Sequence, residues 1–85
     1  EHQAFPEWLR AEKGYSDRSI SDVFSRLNRA AAILPNREIN QYYIVDLEEQ
    51  EPYRTLSPSV RSQIKKAINL KRAFLAHIDQ APHQA

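Results

Sequence analysis

From Ile20 onward, apolar residues return every three or four positions: Ile20, Val23, Phe24, Leu27, Ala31 and Leu34. That spacing gathers them on one side of a helix turning about 100° per residue and predicts four turns with a single buried face. Ser16 offers a side-chain acceptor for the first free N–H groups, and Pro35 stops the run. Before it, Pro6 suits the first helical position and Gly14 suits a left-handed C-cap. They bracket a short helix that turns Phe5, Trp8 and Leu9 inward, joined to the next by the Gly14-Tyr15 turn. A last stripe of Val60, Ile64, Ala67, Ile68, Phe74, Leu75 and Ile78 follows Ser57-Pro58, the preferred pair for a helix start. Pro82 lies past its end, and the polar tail 80–85 is expected to fray.

The middle is harder to read. Asn36 can cap a third helix in which Ile39, Tyr42, Tyr43 and Leu47 face inward, with Pro52 ending it and Tyr53–Leu56 as a connecting loop. Tyr42-Tyr43-Ile44-Val45 also has strand character, but a single short strand would have nothing to pair with. Four helices with short connections predict an all-α fold, a small four-helix bundle spanning 1–85 as one domain with its ordered core at about 5–79.

Composition narrows the functional classes. A chain of 85 residues, 41% of them apolar, can build one core. Without cysteine it has no disulfide framework and no thiolate metal site. A single glycine argues against phosphate-cradling Gly-rich loops. No run approaches the ~18 apolar residues of a membrane span and no signal peptide is evident, so the expectation is a cytoplasmic domain that meets no membrane. The histidines at 2, 77 and 83 form no metal-ligand spacing, and Asp46, Glu48, Glu49 and Glu51 lack a calcium-loop pattern. Ser16 and Ser57 are accounted for as caps, while Ser21 and Ser25 fall on an exposed helix face. No catalytic constellation, cofactor or small-molecule substrate is expected.

Charge changes the picture. Residues 1–34 are balanced, 35–53 carry a net −4, and 54–85 carry a net +5. With Val60 set at zero, the apolar positions of the last helix lie within about 80°, and Arg61, Arg72 and Lys65 follow at about 100°, 120° and 140°. Lys66 lies on the opposite flank. No acidic residue falls between Glu51 and Asp79, so nothing at four-residue spacing neutralises the stripe. Long cations along one helix edge can follow a phosphate backbone. On the second helix, Asp22 stands four residues from both Arg18 and Arg26 and can pair with either, whereas Arg29 has no such partner. Lys71 falls inside the apolar stripe, where it must snorkel, meet an acidic side chain or mark a contact with a further domain. Trp8, Tyr42 and Tyr43 are expected in the core rather than as stacking platforms.

The run from Phe5 to Ser16 (FPEWLRAEKGYS), followed by Arg18-Ser-Ile-Ser-Asp-Val-Phe-Ser-Arg-Leu27, resembles the start of the core-binding domain of tyrosine recombinases and phage integrases. Leu56-Ser-Pro-Ser-Val60, ending in Arg72-Ala-Phe-Leu75, is similar to the last core-binding helix of that family. The resemblance covers about 5–78 in outline and implies a SAM-like bundle forming half of a clamp around duplex DNA. The family's catalytic residues lie in a separate domain, so this region would bind DNA without cutting it and would be attached to another domain. The expected contacts are Arg61, Lys65, Arg72, Arg29, Arg18 and Lys66. The competing expectation is a helical protein–protein interaction domain.

Overall fold

The computed structural model describes residues 4–80. They form five helices: α1 (Phe5–Lys13), α2 (Asp17–Ile33), α3 (Tyr43–Glu48), α4 (Glu51–Arg54) and α5 (Pro58–Gln80). No strand occurs among the described residues, and the fold is all-α. His2, Pro82, His83 and the tail beyond residue 80 lie outside the described residues.

The outer helices start and stop where the sequence places their caps. Gly14 adopts φ 67° at the end of α1, and the Tyr15 N–H donates to the Leu9 carbonyl at 3.2 Å. Ser16 Oγ accepts from the Ser19 N–H at 3.2 Å at the start of α2. Ser57 Oγ accepts from the Val60 N–H at 3.2 Å where α5 begins.

α2 and α5 form the central packing pair, and two clusters of buried side chains sit along it. Toward α1, Phe5, Trp8 and Leu9 meet Ile20, Val23, Ala67 and Phe74. Toward the middle segment, Tyr43, Leu47 and Tyr53 meet Ala30, Leu34, Ile64 and Ile68. Leu27 is half-buried against both clusters, which joins them into one core. Burying each of these large side chains contributes roughly 1.5–3 kcal/mol, the main favourable term.

Three expectations about faces need correction. On α2 it is Ala30 that is buried, not Ala31, while Phe24 stays 38% exposed and stacks on Phe5 at 5.6 Å. Leu75 of α5 is 37% exposed rather than inward. Tyr42 is 60% exposed and only Tyr43 of that pair is core. Phe24 and Ala31 lie at one edge of the α2 stripe, away from the buried Val23 and Ala30, and Tyr42 precedes α3 in a turn, outside the face that buries Tyr43 and Leu47.

The third helix also differs from its expectation. Asn36 does not cap it; with φ 60° Asn36 turns the chain left-handed after α2. The chain enters α3 through an Asx turn instead, Asn40 Oδ1 accepting from the Tyr42 N–H at 2.9 Å, and Tyr42 precedes the helix without a side-chain cap. Residues 36–42 are loop and turn, and α3 and α4 are separate short helices. Pro52 lies in the first turn of α4, where its missing N–H costs nothing, and so opens a helix instead of closing one. Tyr53, expected in a loop, is a buried member of α4 at 1% exposure.

Candidate nucleic-acid interface

The basic edge of α5 does not form one open stripe. Arg61, Lys65 and Arg72 lie on the flank where the acidic middle segment packs, and each meets a different environment. Lys65 Nζ donates to Glu48 Oε2 of α3 at 3.0 Å. That hydrogen bond, reinforced by the Glu48 charge, holds the Lys65 ammonium above its ordinary pKa. Neutralisation arrives through tertiary contact, which spacing along α5 could not reveal. The Arg61 carbonyl accepts from Tyr53 Oη at 3.1 Å, and Arg61 Nε is enclosed without a hydrogen-bond partner. Burial raises the Tyr53 phenol above its ordinary value, with Lys65 partly opposing. Arg72 is half-buried and lines a groove with Leu75, Ala76 and the loop residues Ile39, Asn40 and Gln41.

Arg18 and Arg29 are exposed on the outer side of α2. Neither Arg18 nor Arg26 forms an ion pair with Asp22 among the described residues; the ion pairs seen there join Arg10 to Asp17, Arg37 to Asp46 and Lys65 to Glu48. Arg26 instead lines a groove of about 320 Å³ between α2 and α5 with Tyr15, Ser19, Asp22 and Lys66. Four-residue spacing from Asp22 hides this role of Arg26; its angular position next to Ser19, toward α5, is the signal in the sequence that points to it.

The cations that the structure does bring together lie on the outward ridge of α5. Lys65 and Lys66 border one shallow surface with Ser62, Asn69, Leu70 and Ala73, and Lys13 reaches it from the end of α1. Lys13 Nζ sits 5.4 Å from the centre of the Trp8 ring, which places its charge beside the ridge. Three cations and no carboxylate line this surface. From Ser62 to Ala73 it spans about 16 Å at 1.5 Å per residue. Its small and polar side chains allow a phosphate backbone to come close and accept hydrogen bonds. Helical angles alone put Lys65 and Lys66 on opposite flanks, yet both reach the ridge. Lys13 is invisible to spacing along α5, because its approach depends on how α1 packs.

No group of histidine, aspartate and glutamate side chains among the described residues is arranged to hold a metal ion, and no helix there is long and apolar enough to cross a membrane. Comparison with known proteins finds no matching family model, curated protein or solved structure.

Proposed function

We propose that this chain is a non-catalytic DNA-binding domain that holds the backbone of duplex DNA against the outer ridge of α5. The observation that carries the reading is the surface bordered by Lys13, Lys65 and Lys66, whose lining holds no carboxylate, with Glu48 of α3 engaging the Lys65 ammonium. Backbone phosphates are its natural counterpart, since each is anionic, accepts several hydrogen bonds and recurs along a line. Ser62 and Asn69 add neutral donors at the centre of the ridge. Lys66 and Arg26 share the neighbouring groove between α2 and α5, which Asp22 also lines. Arg18 and Arg29 extend the positive charge on the exposed side of α2, while Arg61 and Arg72 contribute more to the field than to direct contact. The SAM-like bundle and the half-clamp of the tyrosine-recombinase core-binding domain are part of this proposal, resting on the sequence resemblance. In that setting, a covalently attached domain completes the clamp.

Binding by this domain alone is weak and largely independent of sequence, with a dissociation constant of order 10⁻⁴ to 10⁻⁶ M at physiological salt. The test is titration of labelled duplex at several salt concentrations, with wild type and the Lys13→Ala, Lys65→Ala, Lys66→Ala triple variant. The triple variant should flatten the log–log salt slope by up to ~1.8, about 0.9 for each phosphate held by Lys13 and Lys66, since Lys65 is engaged by Glu48. An unchanged slope, or no wild-type binding at low salt, overturns the proposal.

A further inference from the structure

Among the described residues, four large apolar side chains are left at the surface, in two groups, one with the unpaired Lys71 and one with the unpaired Glu49. Phe24 is 38% and Leu75 37% exposed, near Lys71; Tyr42 is 60% and Val45 56% exposed, at helical spacing from Glu49, while Asp46 beside them is paired with Arg37. The basic group is continuous. Phe24 stacks on Phe5 at 5.6 Å, Lys71 Nζ lies 4.7 Å from the centre of the same Phe5 ring, and Leu75 follows Lys71 one turn along α5. Lys71 Nζ also stands 5.6 Å from the Phe74 ring and has no ion-pair partner among the described residues. Its charge is therefore balanced only by aromatic faces, at the border of exposed apolar surface. The acidic group lies on α3 and its C-cap, where Tyr42, Val45 and Glu49 share a face at spacings of three and four. Glu49 is exposed and likewise unpaired among the described residues.

The two groups are neighbours. Leu75 and Arg72 face Asn40 and Gln41 across one groove, and Tyr42 is the next residue along the chain. A strip thus runs across this side of the molecule from apolar-and-basic to apolar-and-acidic. Such a strip is complementary to itself when turned by 180°, because a two-fold axis lays each basic end on the partner's acidic end.

We infer that this face is a two-fold docking surface for a second copy of the chain, with Phe24 and Leu75 against Tyr42 and Val45 of the partner and Lys71 against its Glu49. The surface is independent of the α5 ridge proposed to meet DNA, so either can hold without the other. The charges that pair across it stay near solvent and only four apolar side chains of each copy meet, so association is weak and salt-sensitive.

Sedimentation equilibrium of the full chain from about 10 µM to about 1 mM at low salt tests it. The expected result is a monomer–dimer equilibrium. Lys71→Glu and Glu49→Lys should each raise the dimer dissociation constant at least tenfold, because each sets like charges opposite one another. An equimolar mixture of the two variants should restore it, since a hetero-pair has opposite charges at both ends. Circular dichroism establishes that each variant is folded. If Lys71→Glu is not, Leu75→Ser and Val45→Ser serve instead, each weakening the dimer at least threefold. A monomer throughout, open-ended oligomers, or a dimer indifferent to the folded variants overturns the inference.

Discussion

The paired long helices and the middle segment solve the same problem in different ways. α2 and α5 bury Ile20, Val23, Ala30, Ile64, Ala67 and Ile68 through regular periodicity, and local caps fix where each helix begins. Residues 35–57 have no helix longer than α3, of 6 residues, yet they place Tyr43, Leu47 and Tyr53 in the core at 2% exposure or less. There, short helices are held by side-chain bonds. Gln50 Nε2 donates to the Asp46 carbonyl at 3.2 Å, Thr55 Oγ1 to the Pro52 carbonyl at 3.0 Å, and Tyr53 Oη to the Arg61 carbonyl at 3.1 Å. Helices this short are not stable alone, so the middle segment exists as structure only against α2 and α5. Regularity makes a segment predictable; dependence on neighbours does not make it dispensable.

The largest expected effect tests whether the middle segment is indispensable. Leu47→Ala, in α3, and Ile68→Ala, in α5, each empty a site that is fully buried. Each should cost about 2–5 kcal/mol in denaturant unfolding and leave a single transition. A loss below about 1 kcal/mol for Leu47→Ala would show the middle segment to be an appendage to a two-helix core.

What is legible in the sequence divides along the same line. Gly14, Ser16, Ser57 and Pro58 act within a few residues of themselves, and the ends of α1, α2 and α5 follow from them. Asn36 and Pro52 are ambiguous in isolation. Asn favours both N-caps and left-handed turns, and Pro both follows helices and opens them. Only the packing of Leu34 and Tyr53 decides between these. The candidate site is partly legible for a related reason: the cations of α5 are visible, but Glu48 reaches Lys65 from 17 positions away. Lys13 needs α1 in place before it joins the ridge.

Next in size are the two left-handed residues, one at the turn that leads into α2 and one in the middle segment. A Cβ on Gly14 meets nothing within 4 Å, so Gly14→Ala carries only the conformational cost of φ 67°, about 1–2 kcal/mol. Asn36 already bears most of that cost at φ 60°, and Asn36→Ala should lose less than about 1 kcal/mol. Thermal unfolding of the two variants side by side checks the order, and equal losses would mean that the Asn36 turn has a second constraint.

Smaller still is Tyr53→Phe, which removes one hydrogen bond between the middle segment and α5 and should cost about 1 kcal/mol. It also carries a pH signature. Burial raises the Tyr53 phenol above 10.0, so the fold holds its proton more tightly than the unfolded chain does. The stabilisation is complete below about pH 10 and is lost as pH rises through the folded value. Tyr43, raised chiefly by burial, acts in the same direction. Stability should therefore fall above about pH 10, and less steeply in Tyr53→Phe. An identical alkaline slope in the variant would assign the loss to Tyr43 and Lys65, both raised in the fold.

The smallest effect on folding falls where the two regions exchange charge. Lys65 and Glu48 are 39% and 47% exposed, so solvent screens their bond and its loss in Glu48→Gln should cost less than about 0.5 kcal/mol. If the α5 ridge meets DNA as proposed, binding should move the other way. In the wild type, a phosphate approaching Lys65 competes with a carboxylate 3.0 Å from the ammonium. Glutamine keeps the size of the side chain and removes the charge, leaving Lys65 free to turn to the ridge beside Lys66. Affinity for duplex should therefore rise and the log–log salt slope steepen by up to ~0.9, the equivalent of one more neutralised phosphate. Opposite signs in unfolding and in DNA titration are the result expected of a seam that restrains the site it supports. Weaker DNA binding by Glu48→Gln would mean that Glu48 positions Lys65 for phosphate instead of competing for it.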